Sequence, residues 1–260
     1  MKVGVCMDIS AVGGSNPYTN IATGQRINSA ADDPAGLAIA KGMDAQISSS
    51  KQNLNNVADM GNLLNTADGA LESIGDGLGR LRDLAVQANN GILSRDDRSI
   101  IQNEVDQVLS QIESVASNTS FNQMKLLDGS FSDKNVASNT DGSGSRISIQ
   151  NTSLDALGIK GFDVTNGSDI SKIDDALSMV NESRSKIGST SNAFEYASNA
   201  ISGKITNITA SMSKIQDANI SDEISSMKKN QILDQYKMQM QSMRQDAQKQ
   251  QIGMMADFKL

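Results

Sequence analysis

LNNVADMGNLLNTADGALESIGDGLGRLRDLAVQA, residues 54–88, is the stretch that decides the fold. Leu54, Val57, Leu64, Ala67, Leu71, Ile74, Leu78, Leu81, Ala85 and Ala88 keep a 3-4 spacing that is broken only around Gly61. A seam recurring every 3.5 residues predicts a helix that buries a narrow stripe against other helices. At 1.5 Å per residue, a helix from Ser50 to Asn89 would run on the order of 60 Å, more than a compact domain needs. The expected shape is a rod.

Working outward, Asn89, Asn90 and Gly91 break the helix, and Ser94 with Asp96 and Asp97 starts another, with acid in its first turn. The seam resumes as Ile101, Val105, Val108, Ile112 and Val115, and ends near Asn118, Asn122 and Gly129, which are turn formers. Upstream, Asp32, Asp33 and Pro34 form a helix start, and Leu37, Ile39, Met43 and Ile47 lead into the long helix. Residues 1–25, with Gly13, Gly14 and Pro17, show no seam and are expected to be irregular.

The second half repeats the pattern. Ile173, Leu177, Val180, Ile187, Phe194, Ile201, Ile205, Ile208, Met212 and Ile215 form its seam, interrupted by Arg184, Ser191 and Ser198. A break is expected at Asp217–Ser221, followed by a Gln- and Met-rich helix with apolar Leu233, Tyr236, Met240, Met243 and Ala247. Met at helical spacing points to adaptable core or interface rather than a soft-metal site, which would need converging partners. Between the halves, SRISIQ (145–150) alternates in strand fashion, with GFDVT (161–165) as its expected partner. The fold class is therefore mainly α: an elongated antiparallel helical bundle with a small β-hairpin region in the middle.

Composition narrows the function. Aromatic content of 3% with no Trp argues for a thin bundle rather than a thick core. The 23 basic against 30 acidic residues give a net charge of -7 without a basic cluster, which speaks against nucleic acid. No apolar run approaches the roughly 18 residues of a membrane span, and the N-terminus lacks a secretory apolar core. The lone Cys6 is read as an incidental thiol. With no His, imidazole acid-base chemistry and His-based zinc sites are excluded, and no cofactor or metal is expected. An enzyme would need a carboxylate pair such as Asp32 with Asp33 or Asp96 with Asp97, and helix capping explains both more simply.

Several stretches resemble bacterial flagellin: RINSAADDPAGLAIA (26–40), LGRLRDLAVQANNG (78–91), IIQNEVDQ (100–107) and SFNQMKLLDGSF (120–131) in the first half. RSKIGSTSNAFEYASNAI (184–201) and IQDANISDEISSMKKNQIL (215–233) follow in the second, so that the match spans about two thirds of the chain in the family's order. The resemblance implies an extracellular structural subunit of the flagellar filament, built for motility and not an enzyme. Its implied partners are other flagellin subunits, in a homopolymer or a mixed filament, together with an export chaperone and the flagellar type III export apparatus.

The implied division is a truncated N-terminal core segment at 1–25, helical rod segments at 26–128 and 172–218, a short β/loop region at 129–171, and a C-terminal core helix at 219–260. The N-terminal segment is expected to be shortened or replaced, because only 25 residues precede Arg26. The last segment departs from the Ala/Gln/Leu pattern expected there. The resemblance also places a contact surface for Toll-like receptor 5 on Arg80, Leu84 and Glu104, with Leu84 as an apolar anchor between two charges. The alternatives are a minor or non-polymerising flagellin-like protein directed at that receptor, and a hook-filament junction protein.

Overall fold

In the computed structural model, which describes residues 17–139, 142–167 and 169–257 and side chains as far as Gln250, the heptad seams become helices. In chain order the described elements are α1 (Pro17–Thr23), α2 (Pro34–Ala88), α3 (Arg95–Asn118), β1 (Ser120–Phe121), β2 (Met124–Lys125), β3 (Lys134–Ala137), β4 (Gly144–Ile147), α4 (Ile170–Gln216) and α5 (Ile220–Asp257). The chain divides into two compact units, one drawn from residues 1–46 and 207–260, the other from 47–206.

In the 47–206 unit, α2 carries the core. Its Leu64, Ala67, Leu71, Ile74, Leu78 and Leu81 are fully buried among Val105 and Ile112 of α3 and Ile173, Ala176 and Val180 of α4. Ion pairs fix the directions of the helices. Arg82 meets Asp174 at 2.8 Å while Arg184 meets Asp68 at 2.9 Å, so α4 runs antiparallel to α2. Arg80 pairs with Glu104, and a side chain at Gly77 would press on Ile112, so α3 is antiparallel to α2 as well.

The buried stripe is wider than the expected seam. Leu63 and Leu84 join their neighbours Leu64 and Ala85 in the core, and on α3 it is Leu109 and Ala116 that are buried while Val108 and Val115 are half-buried. A helix gripped on two sides needs an apolar arc broader than the two-in-seven line of a single coiled-coil contact.

The start of α3 follows its sequence signal. The Ser94 hydroxyl accepts from the Asp97 backbone N–H at 3.1 Å, and the Asp97 carboxylate accepts from the Ser94 N–H at 3.0 Å, which closes a capping box. After α3, Asn122 and Gln123 both take positive φ (46° and 65°), giving the two-residue turn that joins β1 to β2.

The strand expected at 145–150 is present in part, as β4, but its partner is β3 and not GFDVT. Residues 161–165 instead lie against α3, where the Gln102 side chain stands in for a strand. Its Nε2 donates to the Phe162 carbonyl at 3.1 Å, and its Oε1 accepts from the Val164 N–H at 2.8 Å. With their backbone satisfied, Phe162 and Val164 turn their side chains into the core.

The irregular segment expected at residues 1–25 also needs correction where it is described. Pro17 opens α1, a position that suits its fixed φ and missing N–H, and Gly24 closes it with φ +71°. The expectations for a core segment at 1–25 and for Cys6 fall, as far as Asn16, outside the described residues.

Candidate functional site

In the unit drawn from residues 1–46 and 207–260, residues 24–26 are joined to residues 216–218 by backbone. The Arg26 N–H donates to the Gln216 carbonyl at 2.7 Å, and the Ala218 N–H donates to the Gly24 carbonyl at 2.9 Å. Arg26 then reaches over with its guanidinium, Nη2 donating to the Ile215 carbonyl at 2.8 Å. A cation at the end of α4 faces the negative end of the helix dipole and satisfies a carbonyl that lacks an intrahelical donor.

Beneath this clip runs a buried relay of amides. Asn28 Nδ2 donates to Asn20 Oδ1 at 2.9 Å and to the Gln25 carbonyl at 2.8 Å, and Asn20 Nδ2 donates to Glu223 Oε1 at 2.9 Å. Asn20 is 1% exposed, so each of these bonds holds a group that would be costly to leave unpaired. The relay ties α1, the RIN turn and the first turn of α5 into one body.

The two aspartates of the turn divide the labour. Asp32 accepts from the backbone N–H groups of Ser29 (2.8 Å) and Asn28 (3.1 Å), and those bonds hold its carboxyl below the usual aspartate value. Asp33 caps α2, accepting from the Gly36 N–H at 2.8 Å with Pro34 in the first helical position. A Cβ at position 36 would come within 2.7 Å of Ile27 Cδ1, so the glycine admits Ile27 to the core of this unit. Of the carboxylates weighed for catalysis, Asp32, Asp33 and Asp97 are engaged in loop bracing or helix capping.

Helix α5 is of a different character. Asn219 caps it, and Asp222 and Glu223 occupy its first turn. From Lys228 to Gln250 every residue is exposed. Leu233, Tyr236, Met240, Met243 and Ala247 nevertheless follow the 3-4-3-4 spacing that marks the buried seam of α2 between Val57 and Ala88. Tyr236 is 60% and Met243 55% exposed. Against α1, Gln231 Nε2 donates to the Tyr18 hydroxyl at 3.3 Å.

The three residues expected at a receptor surface are treated unequally. Arg80 and Glu104 come together, Arg80 Nε donating to Glu104 Oε1 at 3.0 Å with Nη2 on the same oxygen, and both side chains are about half exposed. Leu84 is 1% exposed and belongs to the core between the helices. In this subunit it packs inward beside Leu81 and Ala85, at the edge of the face that carries Arg80. The neighbouring pair of Arg82 and Asp174 was not anticipated. Its signal was an arginine flanking the seam, and its guanidinium is held above its usual value by the hydrogen bond to Asp174. Among the described residues no group of three or more His, Cys, Asp or Glu could hold a metal, and no helix is long and apolar enough to cross a membrane.

These two layers, a clipped pair of chain segments and a bare heptad helix, coincide with a known sequence pattern. Residues 8–132 match the bacterial flagellin N-terminal helical region, and residues 170–253 match the bacterial flagellin C-terminal helical region. The chain belongs to the bacterial flagellin family.

Among its relatives is a flagellar filament 30.7 kDa core protein of Treponema maltophilum, 34% identical over 239 residues, covering 83% of this chain and 82% of that one. A flagellin of Bacillus subtilis is 32% identical over 254 residues, with 83% and 84% covered. The crystal structure of Bacillus cereus flagellin matches with a TM-score of 0.50 at 29% identity, over 61% of this chain and 94% of that one. A putative flagellar hook-associated protein from Vibrio parahaemolyticus shares the fold, with a TM-score of 0.58 at 21% identity over 72% and 100%. This flagellin is a structural subunit of the extracellular flagellar filament, serving motility, and not an enzyme.

Proposed function

We propose that this flagellin joins the filament through the α5 seam, which packs against the corresponding helices of neighbouring flagellin subunits, in a homopolymer or a mixed filament. One observation carries the reading: Leu233, Tyr236, Met240, Met243 and Ala247 keep a coiled-coil spacing along a helix whose residues 228–250 are all exposed. Along residues 57–88 of α2 that spacing is buried, and burying it here removes apolar side chains from water at about 25 cal/mol per Å². Residues 219–260 then serve as the C-terminal core helix.

A free subunit with such a helix needs cover before it assembles, which fits delivery by an export chaperone to the flagellar type III apparatus. The exposed pair of Arg80 and Glu104 supports a contact surface for Toll-like receptor 5 on the 47–206 unit, with Leu84 contributing by holding α2 in place.

Seeding purified chain with fragments of a full-length flagellin, followed by sedimentation and negative-stain electron microscopy, tests the assembly. Filaments that carry this chain are the expected result, and a chain that stays soluble at every seed concentration overturns it. In receptor reporter cells, Arg80→Ala and Glu104→Ala are expected to weaken signalling without loss of helical content.

A further inference from the structure

We infer that Met240 and Met243 are oxidation-sensitive modification sites, at which hydrogen peroxide, by converting the thioethers to sulfoxides, blocks subunit addition; the inference rests on the assembly reading above. The two sulfurs sit on a seam made of Leu233, Tyr236, Met240, Met243 and Ala247, and in the free subunit they are 38% and 55% exposed. Peroxide in solution therefore reaches them before assembly. Met60 and Met179, by contrast, are half-buried against the core of the 47–206 unit.

The chemistry needs only peroxide. A sulfur lone pair attacks one oxygen, an S–O bond forms as the O–O bond breaks, and the proton on the transferred oxygen passes to the departing hydroxide to give water. Sulfur loses two electrons and peroxide gains them. The product is a polar, chiral side chain where a flexible apolar one stood.

On the outside of a free helix this costs little, because water solvates the new oxygen. In a closed seam the oxygen must give up that water and finds apolar neighbours, which opposes burial. The same change one face away does not matter to the seam, and α5 supplies the comparison. Met238 is 62% exposed, the most accessible of the three, yet at 3.6 residues per turn it lies about 160° from Met240 and about 140° from Met243 around the helix. Accessibility and position on the seam are thus separated within six residues.

The test treats the full-length chain with hydrogen peroxide, maps sulfoxides by peptide mass, and measures co-sedimentation with full-length flagellin seeds. Wild type is expected to carry oxygen on Met238, Met240 and Met243 ahead of Met60 and Met179, and its critical concentration to rise on the order of tenfold for each sulfoxide on the seam. The double variant Met240→Leu/Met243→Leu is expected to sediment equally with and without peroxide, whereas Met238→Leu remains as sensitive as wild type. Methionine sulfoxide reductases are expected to restore wild type, a readout that does not depend on any variant folding. Oxidised wild type that sediments at an unchanged critical concentration, with Met240 and Met243 mapped as sulfoxides, overturns this inference alone. Reduced wild type that never sediments overturns the assembly reading and this inference with it.

Discussion

Gly77 faces α3, and a Cβ there would lie 2.9 Å from Ile112 Cγ1. Two effects compete in Gly77→Ala. Helix propensity favours alanine by about 1 kcal/mol, while overpacking a fully buried isoleucine costs about 1–3 kcal/mol. The branched Ile112 side chain, 1% exposed, has little room to yield, so a lowered urea midpoint is the expected outcome. Leu84→Ala should be destabilising by about 2–5 kcal/mol, because it opens a cavity among α2, α3 and α4. Arg80→Ala and Glu104→Ala should fall within about 1 kcal/mol of wild type in the same assay, as befits a half-exposed pair. Receptor signalling lost in Leu84→Ala would therefore report on folding, and only the charge variants can report on contact. Asp97 gives a pH-dependent prediction. The Ser94 hydroxyl, and after it the Ser94 backbone, hold its carboxyl below the ordinary value of 3.8. A group whose folded value is depressed stabilises the fold above its unfolded value, and that contribution is lost as pH falls through the folded one. The difference in thermal midpoint between wild type and Asp97→Asn should be widest near neutrality and close as pH drops below about 4.

For the elements, the sequence carried the long helices well, because a seam repeated over many turns leaves few alternative ways to bury it. The break at Asn89–Gly91, the Ser94 start and the interruption after Gln216 all have local causes, a cap or a turn residue, that act within a few positions. What the sequence did not convey was how many neighbours each helix has. A 3-4 spacing describes one contact line, and α2 has two, so Leu63 and Leu84 fell outside the expected core. Leu84 stands one residue before the seam position Ala85, on the arc that the second neighbour covers. The pairing of 161–165 was missed because its partner is a side chain, and no strand periodicity records that Gln102 offers a donor and an acceptor at the spacing of a backbone. Replacing Gln102 with Leu should strand the Phe162 carbonyl and the Val164 N–H, at a cost of about 1–3 kcal/mol. Seam substitutions should be graded by burial. Leu71→Asp, at a fully buried position, is expected to abolish cooperative unfolding of the 47–206 unit, while Ile201→Asp, at a half-buried one, should lower its midpoint and leave the fold intact.

Across the whole molecule, the two units differ in how completely one chain satisfies itself. The 47–206 unit closes a contiguous core from its own residues. The other unit has its backbone clip and its amide relay, yet it leaves the length of α5 from Lys228 to Gln250 in water. Amide hydrogen exchange should separate them: slow across the core positions of α2 in the free subunit, fast along residues 228–250, and slow in both once filaments have formed. The bare helix also sets a limit on time. Lys228, Lys229, Lys237, Arg244 and Lys249 all lie exposed along it, and any transient fraying offers them to trypsin-like proteases. A cut at one of them detaches part of the seam, and on the assembly proposed above the remnant would lose its hold among its neighbours. On that assembly, unincorporated subunits would be perishable in a way that incorporated ones are not, and the growing structure would be selected for chains that arrived whole.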